Sequence, residues 1–241
     1  MFRHDYTDTQ LRTYKLNHEK QTIDFVLSQK KKYGHHTFND IWYQIEKRLD
    51  TIVDESDPDT ELSQLQHALQ SAEAARKLCP HLDWIHLVAL IHDLGKLLIS
   101  YGEPQWAVVG DTFPVGHPRS DKIVFHELFI IINEPSIYKE HCGFDNVHMS
   151  WGHDEYLYQT LKNNKNTRLP EIGLYIIRYH SFYPWHKDGA YSELASEKDQ
   201  EYLPWMQLFS RLDLYSKADE PIQLTDELKT YYQNLIKKYL E

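Results

Sequence analysis

Trp84-Ile-His-Leu-Val-Ala-Leu-Ile-His-Asp-Leu-Gly-Lys-Leu-Leu-Ile-Ser100 sets a His-Asp pair, His92-Asp93, inside an otherwise apolar run. An isolated carboxylate in such a run is costly to bury unless it is paired, hydrogen-bonded or bound to a metal. The pair therefore marks either a self-satisfied structural couple or a metal site. Neutral imidazole and carboxylate are ordinary ligands for Zn, Fe, Mn or Ni, and further isolated His and Asp residues recur in apolar settings downstream.

Working outward, the 241 residues are 41% hydrophobic, enough for a sizeable core in one large domain or two small ones. Net charge is −10, with 26 Lys plus Arg against 36 Asp plus Glu, which argues against nucleic acid and anionic membrane as partners. Only Cys79 and Cys142 occur, in no CxxC pattern, and the N-terminus carries no apolar signal segment. A reduced, cytoplasmic protein without a membrane span is the expectation, because His86, His92, Asp93 and Lys96 interrupt the apolar run.

Periodicity predicts helices before and after that run. Residues 1–15 read as a polar arm or lid, and 16–33 as a helix ending in Lys30-Lys31-Lys32 and Gly34. Phe38, Ile41, Trp42, Ile45 and Leu49 share one face of a helix over 38–50, before the acidic loop 54–59. Leu62, Leu65, Leu69 and Ala72 stripe a helix over 61–78, with His67 on a face shared with Ser71 and Ala74. Three Pro and three Gly between Gly102 and Pro118 predict a small β-hairpin or structured loop near 103–118. Residues 120–133 lean to helix. Helices are expected from Ser150, from Leu169-Pro170 to His180, from Leu203-Pro204 through Asp213, and from about Thr225. With no repeat or long linker, the fold expected is all-α, a single helical domain over 16–241.

His67, His92, Asp93, His153, His180 and Asp213 are the candidate ligands, spread over five helices. Six ligands exceed what one catalytic metal takes while keeping open positions, so two metals sharing a carboxylate is the economical count. Asp93 is the expected bridge. Lys96 and Lys217 each sit one helical turn from a ligand, three residues after Asp93 and four after Asp213.

Several longer motifs accompany these residues: Leu-Val-Ala-Leu-Ile-His-Asp-Leu-Gly-Lys96, Gly102-Glu-Pro-Gln-Trp-Ala-Val-Val-Gly-Asp-Thr-Phe-Pro-Val-Gly116, Met149-Ser-Trp-Gly-His-Asp-Glu-Tyr156, Ile177-Arg-Tyr-His-Ser-Phe-Tyr-Pro-Trp-His186 and Asp213-Leu-Tyr-Ser-Lys217. In these the chain resembles the myo-inositol oxygenase family of the metal-dependent HD-domain superfamily, over nearly its whole length. It departs from the family pattern near Arg3, where the N-terminus is short, and over 126–140. The resemblance implies an HD-type helical bundle with a mixed-valent Fe(II)/Fe(III) pair held by His67, His92, Asp93, His153, His180 and Asp213. It implies substrate contacts from Arg3, Asp54, Glu55, Ser56, Lys96, Gly110, Asp111, His180, Ser181 and Lys217, with Lys96 and Asp93 serving the chemistry. The reaction it implies is the four-electron cleavage of myo-inositol by O2 to D-glucuronate, in a monomer.

Two rival classes compete with this reading. An HD-type metal-dependent phosphohydrolase would use similar metal ligands and could direct Lys96 and Lys217 at phosphate. The acidic loop 54–59 and the Gly110-Asp111 segment favour a neutral polyol instead. A metal-free binding module would be expected to lack a ligand position, and none is missing.

Overall fold

The computed structural model describes residues 6–56, 63–128, 135–215 and 221–241. Arg3, Lys217 and residues 57–59 of the acidic loop lie outside them. Among the described residues the fold is all-α, and the β content is one isolated antiparallel bridge, Pro114 to Met149.

Residues 8–15, expected as part of an arm, form the first turns of α1 (Asp8–Lys20), where Gln10 and Thr13 are buried. Thr7 caps this helix: its hydroxyl accepts from Gln10 N while the Gln10 side chain accepts from Thr7 N. The helix expected over 16–33 is divided at Gln21-Thr22, and α2 runs from Ile23 to Tyr33. The break frees Gln21 to exchange two hydrogen bonds with the Trp151 backbone, at 2.7 and 2.8 Å. The next segment is a short α3 (Ile41–Tyr43) continued by a π turn and a 3-10 turn to Thr51, which buries Ile41, Trp42, Ile45 and Leu49.

α4 (Gln64–Leu78) packs on α5 (Asp83–Ile91), the centre of the core, where every side chain from Ile85 to Leu98 is buried. After His92 the backbone tightens to a 3-10 helix over Leu94–Tyr101. α6 (His153–Asn163) packs on α7 (Glu171–Tyr179), and α7 on α5. A short α8 (Tyr183–His186), α9 (Glu197–Tyr215) and α10 (Asp226–Leu240) complete the order, with Thr225 capping the last.

Of the two forms expected near 103–118, the structured loop is the one found: it is held against 148–153, with Val115 N donating to His148 O, Ser150 N to Phe113 O and His153 N to Val108 O at 2.7–2.8 Å. Two further expectations need correction. The described part of 120–133 is turns and one 3-10 turn, His126–Leu128, not α-helix. Its Val124 N–H serves the Asp111 carboxylate rather than a helical carbonyl. Pro204 lies inside α9 rather than at its start. The helix begins earlier because buried Asp199 accepts from Ser196 N and Phe144 N, and Pro204 is tolerated because it and Gln200 are exposed, so water can serve the carbonyl it frees.

Beside the site, buried Glu155 is gripped by Arg178 at 2.7 Å and Lys30 at 2.9 Å. Burial alone would raise its pKa, but Arg178 and Lys30 hold it at about 2. A folded pKa below the ~4.3 of an unfolded Glu means stability present above pH ~4.3 and lost as pH falls through about 2. Glu155→Gln should cost about 3 kcal/mol at neutral pH, because it leaves a buried guanidinium short of a partner. The difference in melting temperature from the parent should shrink steadily on acidification below pH ~4; a constant difference would refute the charge-based account.

Candidate metal centre

The centre is assembled at helix ends. His92 follows the last residue of α5 and His180 the last of α7, while His153 opens α6; His67 projects from α4 and Asp213 from α9. The switch from α to 3-10 geometry after His92 places Lys96 over Asp93, since side chains three apart eclipse in a 3-10 helix. Gly95 allows the α6 start to close in: a Cβ there would lie 1.9 Å from the His153 carbonyl oxygen, which no side chain could survive.

The six expected ligands converge. His67, His92 and Asp93 form one group whose ligand atoms lie within 4.8 Å of one another, and Asp93, His153 and His180 form a second. Asp93 divides its oxygens between them. Its Oδ2 lies 3.5 Å from His92 Nε2 and 3.6 Å from His67 Nε2, whereas its Oδ1 lies 3.2 Å from His153 Nε2 and 3.6 Å from His180 Nε2. Asp213 Oδ1 joins the first group, 2.9 Å from His67 Nε2 and 3.3 Å from His92 Nε2, and its Oδ2 accepts from the Tyr183 hydroxyl at 2.9 Å.

The hydrogen bonds behind the rings show what the centre accepts. Nδ1 of His92, His153 and His180 meets the carbonyls of Ala89, Val108 and Ile177 at 2.8–2.9 Å, so each Nδ1 carries the proton and each neutral Nε2 presents a lone pair inward. Yet His67 and His92 bring their Nε2 atoms to 3.2 Å, and His153 and His180 theirs to 3.1 Å. For His153 and His180, two facing lone pairs repel unless a cation lies between them, and the His67–His92 spacing suits the same arrangement. Two donors at right angles on one metal, each at ~2.1 Å, would be separated by ~3.0 Å, so the spacing fits a shared ion. Burial opposes charge on His92, but Asp93 and Asp213 push it up to about 9, and both carboxyls are held well below the usual carboxylate range, so without a metal the centre draws a proton onto His92 and a bound cation would take that proton's place.

Lys96 is buried and all three of its N–H donors are engaged, with Asp54 Oδ2 at 2.8 Å, Asp93 Oδ2 at 2.9 Å and Gln64 Oε1 at 3.0 Å. Burial would lower its pKa, and the two carboxylates raise it instead. Lys96, Asp54 and Asp93 line a cavity of about 230 Å³, below the ~300–1,000 Å³ of drug-sized sites and suited to a compact molecule. Asp54, Ser56, Lys96, Gly110, Asp111, His180 and Ser181 line it together with the six candidate ligands. Glu55 does not; its carboxylate accepts from Thr13 of α1 at 3.3 Å. Sequence reasoning did not single out Gln64, His18 or Tyr183. Tyr183 stands within the quoted Ile177–His186 motif, while Gln64 and His18 meet Lys96 and Asp111 only through the fold.

The family model described as myo-inositol oxygenase matches residues 7–241. An inositol oxygenase of Sus scrofa is 47% identical over 243 residues, covering 96% of this chain and 86% of that protein. One of Danio rerio is 48% identical over 98% of this chain and 88% of its own length, and inositol oxygenase 5 of Arabidopsis thaliana is 48% identical over 98% and 81%. No described helix is long and apolar enough to cross a membrane. With its family model matched from residue 7 to the last residue, this chain belongs to the myo-inositol oxygenase family.

Proposed function

We propose that the chain is an inositol oxygenase that uses O2 to cleave myo-inositol to D-glucuronate in a four-electron reaction at two iron ions. The observation that carries this reading is Asp93, whose two oxygens face two separate histidine groups in a chain of this family. His67, His92, Asp93 and Asp213 would hold one iron, and Asp93, His153 and His180 the other. The bound pair, mixed-valent Fe(II)/Fe(III), would supply O2 activation and the redox equivalents.

The chain's own residues bind and orient. The second group offers fewer protein donors than the first, leaving more room for substrate hydroxyls. Lys96 would stabilise negative charge on a substrate oxygen, preorganised in a water-poor cavity. Since its three donors are already engaged, that oxygen must displace a partner, and the neutral Gln64 is the least costly to release. Asp54, Asp111, Ser56 and Ser181, with the Gly110 backbone, suit a ring covered in hydroxyls. Arg3, Glu55 and Lys217 complete the contacts that the family resemblance suggests. A cytoplasmic monomer is part of the same proposal, with a single catalytic domain that takes in the whole of α1. The cavity's two buried acids outside the ligand set, Asp54 and Asp111, also disfavour the phosphohydrolase alternative, because a phosphate would enter against them.

The test is turnover. Iron-loaded protein, partly oxidised so that the pair is mixed-valent, should consume O2 and myo-inositol one to one and release D-glucuronate, whereas fully oxidised protein should be inactive until reduced. Hydrolysis of phosphate esters without O2 uptake would overturn the reading. His153→Ala and Asp213→Ala should each lower iron content and abolish turnover; either variant with full iron and normal activity would remove that residue from the ligand set.

A further inference from the structure

The hydrogen bonds that hold the cavity-lining Asp111 all use one of its two oxygens. His18, on α1 and 5% exposed, places Nε2 2.8 Å from Asp111 Oδ2, and the Val124 N–H donates to the same oxygen at 2.8 Å. Oδ2 is thus doubly used. Asp111 Oδ1 takes no hydrogen bond among the described residues and is the oxygen left for the cavity. Asn17 of the same helix donates to the Trp106 carbonyl at 3.2 Å, and Gln21, just after the helix, is locked to the Trp151 backbone. Gly110, at φ +111°, lets α1 approach so closely that a Cβ there would lie 3.0 Å from the Asn17 side chain.

We infer that His18 is a positioning residue for Asp111, fixing that carboxylate so that Oδ1 accepts a hydroxyl of the polyol substrate. The inference rests on the reading of Asp111 as a substrate contact. His18 would not touch the substrate; it would act through Asp111, and the buried polar row of α1 would make this helix part of the binding wall. A carboxylate with one anchored oxygen presents the other in a fixed direction, so binding spends no rotamer freedom on it.

Anaerobic iron-loaded enzyme titrated calorimetrically with myo-inositol, alongside KM and kcat, tests this. His18→Met removes the N–H donor while keeping the side chain long, and His18→Gln restores an amide N–H at about the reach of Nε2. His18→Met should weaken inositol binding by ~10-fold or more and raise KM by more than it lowers kcat, with iron content unchanged. His18→Gln should bind within about threefold of the parent. Added to Asp111→Asn, the His18→Met change should cost little more than Asp111→Asn alone, the non-additivity expected of residues acting as one unit. The proposal is overturned if His18→Met binds like the parent while Asp111→Asn is weak, if the Met and Gln variants are equally weak, or if the two changes are additive. If Asp111→Asn itself leaves affinity untouched, the substrate role of Asp111 fails and the inference fails with it.

Discussion

Asp93→Ala is expected to strip both irons and take turnover below detection. Among the described residues Asp93 alone belongs to both ligand groups, with Oδ1 toward His153 and His180 and Oδ2 toward His67 and His92. Its removal leaves four imidazole nitrogens in two close pairs with less negative charge to hold an ion between them. His67→Ala is the control: it touches the first group only, so iron should fall toward about one per chain rather than toward none. Metal analysis after anaerobic loading and desalting distinguishes the two. Equal iron loss in both variants would show that the groups do not bind separately, and full iron in Asp93→Ala would remove the bridge.

Lys96→Met should slow inositol cleavage by ~10²-fold or more per loaded site, the range for removing one preorganised charge donor. Its effect on stability should depend on metal. Without iron, the change leaves Asp54 and Asp93 buried without their shared ammonium, although Ser56 still donates to Asp54, so the metal-free melting temperature should fall. With iron bound, Asp93 keeps cationic partners and the loss should be smaller. Kinetics, iron content and melting curves with and without metal read these outcomes. Parent-like kinetics accompanied by lost stability would make Lys96 a structural counter-ion and nothing more.

Much of the site was legible because its chemistry clashes with its surroundings. His92-Asp93 in an apolar run, and His153 and His180 within long motifs, announce themselves as groups that need partners, and all six candidate ligands converge. Helix identity was legible where apolar spacing was regular, as in α4, α7 and α10. Boundaries failed where a tertiary bond outweighed the local signal: buried Asp199 starts α9 ahead of Pro204. The supporting residues were not legible. His18 and Asp111 are 93 positions apart and Gln64 and Lys96 are 32 apart, so nothing local links either pair. The role of Gly95 likewise becomes visible only once the His153 backbone is seen against it.

The central claim is that one carboxylate joins two metal sites, and the most direct measurement is iron stoichiometry combined with EPR of the half-oxidised protein. The account predicts about two irons per chain and a signal from a magnetically coupled Fe(II)/Fe(III) pair that disappears in Asp93→Ala. One iron per chain, or two irons giving only the signals of isolated ions, would contradict it.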